Sequence, residues 1–244
     1  MKGIMIRTAV IVVVLGTVLL AAPASRASGR EEGVGTEVDA MLERILAAFD
    51  RAQSETGTLV ARFTETKHVR LLARPVESRG VFYYHHPNQV RWEHLEPDAK
   101  ILVITQTLYR AYYPALKRAE EIPFSAFVGK RVFRFIGVGQ STEDLRKYYS
   151  IRLSPDNDLA GTHLLALSPR RKRIQDRVRE VNIWVDAATY LPRRIEYREA
   201  DGDSTTLTFD EIRRNVEIAS SRFQLDLPRD VRVSETFSGL GFER

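Results

Sequence analysis

Histidine, activated serine and paired carboxylates are the residue types from which hydrolytic and metal chemistry is built, so their spacing decides first what this chain can do. Its five histidines are His68, His85, His86, His94 and His163. None belongs to an HExxH pattern, in which two imidazoles four residues apart share a helix face and hold zinc. His85 and His86 are neighbours in a run that reads as a strand, so they point to opposite faces and do not line one site. No serine stands in the GxSxG setting of a nucleophile elbow. Gly137-Val138-Gly139 supplies the first glycines of a dinucleotide loop, but Thr142 occupies the third position. Glu120-Glu121 falls in a polar stretch that reads as a loop, which predicts solvated carboxylates rather than an acid–base pair. With no cysteine there is neither a disulfide framework nor a thiolate metal ligand. These residues predict a protein that is not an enzyme and carries no metal and no cofactor.

Charge points the same way. The chain holds 37 Lys and Arg against 32 Asp and Glu. Its first 27 residues have the layout of a secretory signal peptide: Lys2 and Arg7 form a basic start, Thr8 to Ala22 an uncharged apolar run. Ala22-Pro23-Ala24 and Ser25-Arg26-Ala27 then offer small-x-small cleavage sites. The apolar run is short of the roughly 20 residues that span a bilayer, which favours cleavage over a retained anchor. Cleavage after Ala27 removes Lys2, Arg7 and Arg26 and no acid, leaving 34 basic against 32 acidic side chains. That balance disfavours nucleic acid, which selects a strong basic surplus on one face. The densest charge run, Arg170-Arg171-Lys172-Arg173, reads as an exposed hairpin tip, with docking on an acidic partner or an anionic membrane as its functional alternative. An exported, periplasmic protein is expected, with residues 28–36 flexible and 37–244 forming a single domain.

The elements that would position any site follow from periodicity. Val38, Met41, Leu42, Ile45, Leu46 and Phe49 recur at helical spacing after a Thr36-Glu37-Val38-Asp39 capping signal. From Thr58 the period becomes two. Leu59, Ala61 and Phe63 alternate with Val60, Arg62 and Thr64; Val81 to His86 is aromatic and strand-like, Val90 to His94 alternates, and His86-Pro87-Asn88-Gln89 lies between them as a turn. Lys100–Thr105 and Leu108–Tyr113 form a second hairpin. Further strands are expected at 151–153, 162–168, 179–186, 193–199, 205–212, 222–226 and 231–236, with Asp201-Gly202 as a turn. Ten or eleven strands in meander order predict a curved antiparallel sheet or barrel. Ile122 to Tyr149 interrupts it with an apolar, partly helical insertion capped at Ser141, which is either a core plug or a lid. Phe82, Tyr84 and His86 share one strand face, as do Val90, Trp92 and His94. That alternation fits a packed core and a ligand cavity equally.

The order of these motifs resembles the LolA family of periplasmic carriers of outer-membrane lipoproteins. The carrying residues are Phe63-Thr64-Glu65-Thr66, Gly80 to Tyr84, Pro87, Val90-Arg91-Trp92, Pro97, Ile101-Leu102-Val103, Tyr109 to Pro114, Ser141 to Ile151 and Phe223 to Val231. The resemblance implies an incomplete, unclosed antiparallel β-barrel with a helical lid over a hydrophobic cavity. It further implies acyl-chain binding by Phe63, Phe82, Tyr84, Val90, Trp92, Leu102 and Leu145, with Phe127 and Phe135 on the lid. The implied partners are lipoprotein acyl chains, an inner-membrane lipoprotein-releasing transporter as donor and an outer-membrane receptor as acceptor, for a monomeric shuttle. Three positions depart from the pattern. His86 replaces the arginine that gates the lid, Thr105-Gln106-Thr107 replaces an Asp-Gly turn, and Arg110 replaces an aromatic residue. A carrier of another lipid or glycolipid, and a non-enzymatic periplasmic sensor or interaction module, are the alternative readings.

Overall fold

The structure, a computed structural model, describes residues 34–123 and 141–235. Helix α1 spans Val34–Ser54, so it starts ahead of the Thr36 capping signal and takes in residues expected to be flexible. Leu42, Ile45, Leu46 and Phe49 are buried along one stripe, whereas Val38 and Met41 at its start stay exposed. Twelve strands follow: β1 (Thr58–His68), β2 (Val76–His85), β3 (Gln89–Glu96), β4 (Lys100–Ile104), β5 (Leu108–Tyr113), β6 (Arg118–Pro123), β7 (Tyr149–Ser154), β8 (Thr162–Pro169), β9 (Val178–Asp186), β10 (Pro192–Glu199), β11 (Ser204–Arg214) and β12 (Arg232–Ser234). Helix α2 (Thr142–Tyr148) precedes β7, and the short helix α3 (Lys172–Gln175) links β8 to β9.

All twelve strands belong to one sheet, ordered β12-β6-β5-β4-β3-β2-β1-β11-β10-β9-β8-β7. The terminal strands β12 and β7 do not pair with each other, so the barrel is unclosed, as the family resemblance implies. Every pairing is antiparallel except β12 on β6. One buried cluster joins α1 to both arms of the sheet, including Phe63, Phe82, Val90 and Leu102 from one and Leu165, Ile183 and Val185 from the other. That continuity requires the sheet to curl round its inner face, and burial of apolar area there drives the curl.

Three elements differ from expectation. Glu120-Glu121 lies in β6 and not in a loop, with Glu120 among the most deeply buried side chains. Residues 222–226 form no strand: a 3-10 turn (Ser220–Phe223) leads into an extended segment on the outer face. The Arg170–Arg173 run is exposed, as expected of a surface connection, but it forms a helical turn anchored by the buried Ile174.

Gly80 controls how the curl is built. A Cβ placed there would sit 1.9 Å from the Glu93 carbonyl oxygen and 2.8 Å from Cε1 of Phe63. The pairing of β2 with β3 shifts register between Arg79 and Gly80, a bulge that sharpens the local twist. Phe63 on β1 lies directly opposite and covers the bare backbone. The Gly80→Ala variant should therefore lose about 2–3 kcal/mol by overpacking, read as a lower urea midpoint. An unchanged midpoint would show that Phe63 does not need the space.

Candidate functional site

The inner face of β1 to β5 is built in layers set by register. Tyr84 pairs with Val90, Val90 with Ile104, and Ile104 with Tyr109. One layer on, Phe82 pairs with Trp92, Trp92 with Leu102, and Leu102 with Ala111. Phe63 stands one layer further along β1, opposite Gly80, and its ring centroid is 4.9 Å from Trp92, edge to face. Phe82 lies 4.4 Å from the same indole, and Phe209 from β11 closes the group at 6.0 Å. Pairs in this geometry are worth about 0.5–1.5 kcal/mol beyond burial.

The strand residues Phe63, Phe82, Tyr84, Val90, Trp92 and Leu102 thus share one face of the sheet. Phe63, Phe82, Tyr84, Val90 and Leu102 are buried, while Trp92 and Leu145 are half-buried against them. Phe127 and Phe135 lie outside the described residues. Burial pushes the Tyr84 phenol up to about 12, so it stays neutral; its hydroxyl is 3.2 Å from Nδ1 of His86. His86 itself is exposed at the β2–β3 turn, where its backbone N–H donates to Gly57 O.

Helix α2, which carries Leu145, is clasped to α1. Ser141 Oγ caps it by accepting from Asp144 N at 3.2 Å, as the sequence predicts. Asp50 on α1 accepts from Thr142 N at 2.7 Å and from Thr142 Oγ1 at 2.5 Å, and Arg146 pairs with Glu43. Sequence reading missed this clasp, because its partners are 92 residues apart.

The same face turns polar at its far end. Glu65 and Lys67 on β1, Ser78 on β2, His94 on β3, Lys100 on β4 and Glu120 on β6 all continue the inward-facing register. Lys67, His94, Lys100 and Glu120 are each at most 8% exposed, so none is a surface charge. Ser78 Oγ donates to Glu65 Oε2 at 3.1 Å and lies 3.2 Å from His94 Nδ1. Burial, then the charges of Lys100 and Lys67, depress the His94 imidazole to about 3. Burial likewise lowers the Lys100 ammonium to about 8, against the opposing pull of Glu65. Sequence reading took none of these groups as a site, since a lysine or glutamate on a strand gives no sign of its burial.

The outer face is covered by the segment after β11. Arg91 Nη1 donates to Arg222 O at 2.9 Å and Arg110 Nη1 to Leu225 O at 2.8 Å, which seats the buried Phe223 and Leu225 on the sheet. Arg110 Nε is also 2.7 Å from Glu121 Oε2. The arginine that departs from the aromatic pattern therefore fastens the C-terminal segment.

The pH dependence of this polar end has a definite sign. Between pH 6.5, the ordinary value, and about 3 the unfolded chain binds a proton at His94 that the folded chain refuses. Stability is full above that window and falls as the pH drops through it. His94→Gln should flatten the slope of unfolding free energy there by up to about 1.4 kcal/mol per pH unit. Urea titrations across the window that give equal slopes for both proteins would refute the buried neutral ring.

A family model described as outer membrane lipoprotein carrier protein LolA matches residues 54–226, which take in β1 through the 3-10 turn. A protein named outer-membrane lipoprotein carrier protein from Cupriavidus taiwanensis is 28% identical over 195 residues, 77% of this chain and 87% of its own. One of the same name from Cupriavidus necator is 26% identical over 157 residues, 64% of this chain and 70% of its own. Among solved structures, an uncharacterized conserved protein from Thermus thermophilus superposes with a TM-score of 0.53 at 15% identity. The match covers 80% of this chain and 98% of that protein, a likeness of fold. With an unclosed antiparallel barrel, an aromatic inner face and a family match over most of its length, this chain belongs to the LolA family.

Proposed function

We propose that the chain is an exported, non-enzymatic carrier that holds lipoprotein acyl chains on the inner face of its barrel. It would take them from an inner-membrane lipoprotein-releasing transporter, cross the periplasm as a monomer, and yield them to an outer-membrane receptor. The observation that carries this reading is the continuous aromatic floor of Phe63, Phe82, Tyr84, Val90, Trp92 and Leu102 beneath α1, with α2 fastened beside it. The family membership of the chain and the names of its Cupriavidus relatives support lipoproteins as the cargo.

Physical chemistry suits that role. Each buried methylene is worth about 0.8 kcal/mol, so an acyl chain of about fifteen carbons offers on the order of 12 kcal/mol of gross burial. A shuttle that kept all of it could not let go. Here the floor is already covered by the protein's own apolar groups, including Leu145 from α2. Cargo must displace those contacts first, and the displacement lowers net affinity to a value from which a receptor can extract it. Residues 1–27 serve as the cleaved export signal in this reading. Phe127 and Phe135 are proposed to contribute to the lid. His86, bonded to Tyr84, is proposed to gate it.

Two variants test the cavity from opposite sides. Trp92→Glu puts a carboxylate on the half-buried centre of the floor and should weaken binding of a fluorescent fatty acid by at least about a hundredfold. Asp50→Asn removes the charge that fastens Thr142 and should tighten binding by about tenfold, because a charge-assisted bond of this kind holds closed what cargo must open. Unchanged affinity in the first, or weaker binding in the second, would contradict the reading. For His86, the His86→Ala variant loses the contact with the Tyr84 hydroxyl and should open its lid more readily, followed by fluorescence; opening identical to the parent protein removes the gating role.

A further inference from the structure

The polar end of the inner face holds ammonium donors that its own carboxylates leave without hydrogen bonds. Lys67, Lys100 and Arg118 stand against Glu65 and Glu120. Arg118 Nη2 is committed to Glu120 Oε1 at 3.2 Å, and Glu65 receives the Ser78 hydroxyl. Lys67 Nζ is sealed from water and hydrogen-bonds to no described residue; the carboxylate beside it, Glu65 Oε1, stands 3.5 Å away. Lys100, 8% exposed, feels the attraction of Glu65 and Glu120 against the repulsion of Lys67. Glu199, at the end of β10, feels the charge of Lys67 but lies beyond ion-pair distance of it.

A buried ammonium with unused donors is costly: it has given up water without replacing the bonds it made there. The nearly buried Lys100 ammonium beside it adds repulsion between like charges. An anion with several acceptor oxygens placed between them would offset both costs. The neighbouring surface limits what that anion can be attached to. The Phe63 ring lies 4.9 Å from Trp92 on one side and 5.0 Å from His94 on the other, so the aromatic floor meets the polar end across a single residue. From Val90 to His94 along β3 is about 13 Å of strand, apolar at one end and charged at the other. Burial keeps His94 neutral, so it adds no charge that would compete for the anion.

From this juxtaposition we infer that the polar end is a binding site for the oxyanion, carboxylate or phosphate, of an amphiphile whose acyl chain lies on the aromatic floor. Lys67 and Lys100 are its cations. The inference rests on the acyl-carrier reading and shifts its cargo toward an anionic lipid, since ester- and amide-linked acyl chains have no oxyanion: the chain discriminates among lipids by their head and does not merely hold grease. A neutral lipid of the same length would leave the unused donors of the Lys67 ammonium unfilled, and it is that loss which confers selectivity.

The test compares three ligands of equal chain length, palmitate, hexadecanol and palmitoyl lysophosphatidate, on the mature protein by displacement of a fluorescent probe. At least one anionic ligand should bind about tenfold or more tightly than the alcohol, and Lys67→Met should remove most of that preference while leaving hexadecanol binding unchanged. Lys100→Met provides an independent second variant. Preference for palmitate alone assigns a carboxylate head, and preference for the lysophosphatidate alone assigns a phosphate. Equal binding of all three by the parent protein overturns the head site and leaves the carrier standing. Failure to bind any of them overturns both. Retained preference in both lysine variants overturns the assignment of the cations.

Discussion

Phe63 lies against Gly80 because residue 80 has no side chain, and much of the inner surface is arranged round that contact. A Cβ at 80 would collide with the Glu93 carbonyl as well as with the ring. With the space open, Phe63 reaches down into the sheet, meets Trp92 edge to face, and leaves its other flank against His94. Phe82 and Phe209 then pack on the indole. The bulge that accompanies Gly80 bends β2 and β3 at the level where the inner face changes from aromatic to charged. One close approach of backbone and ring therefore sets local twist, aromatic packing and the border of the polar end together.

The two faces of the sheet are held by different physics. Inside, α1 and the aromatic layers exclude water, and the few bonds that matter are long-range clasps such as Asp50 to Thr142. Outside, the chain after β11 is drawn onto β3 to β5 by arginines that donate to its carbonyls, Arg91 to Arg222 and Arg110 to Leu225. Asn215 completes the frame: its amide accepts from Gly57 N at 2.8 Å and donates to Glu55 O at 3.0 Å, joining the end of α1 to the end of β11. Charge-assisted bonds to the backbone fasten the outer segment without enlarging the apolar interior.

Most of β1 to β5 was legible in the sequence because one face is apolar and the side-chain period is two, so register and burial are read off together. Phe82, Trp92 and Leu102 align across three strands as their alternation demands. β6 was not legible. Its inward residue is Glu120, so Arg118-Ala119-Glu120-Glu121 reads as a polar loop, and only neighbours distant in sequence show otherwise. Residues 222–226 misled in the opposite sense: Phe223 and Leu225 alternate as in a strand, but the carbonyls of Arg222 and Leu225 meet arginine side chains and not another strand. The polar end failed to register for a related reason. Lys67, His94 and Lys100 sit on separate strands, and the charge pattern of each strand alone is that of an ordinary solvated edge.

The central claim is that the inner face holds a lipid, and native mass spectrometry of the mature protein isolated from the periplasm tests it most directly. A discrete adduct whose mass matches an acylated protein or an acyl-chain lipid, lost from the Trp92→Glu variant, is the predicted result. A clean ligand-free mass, together with failure to take up a fluorescent fatty acid, would mean that the aromatic floor is a solid core and would contradict a carrier.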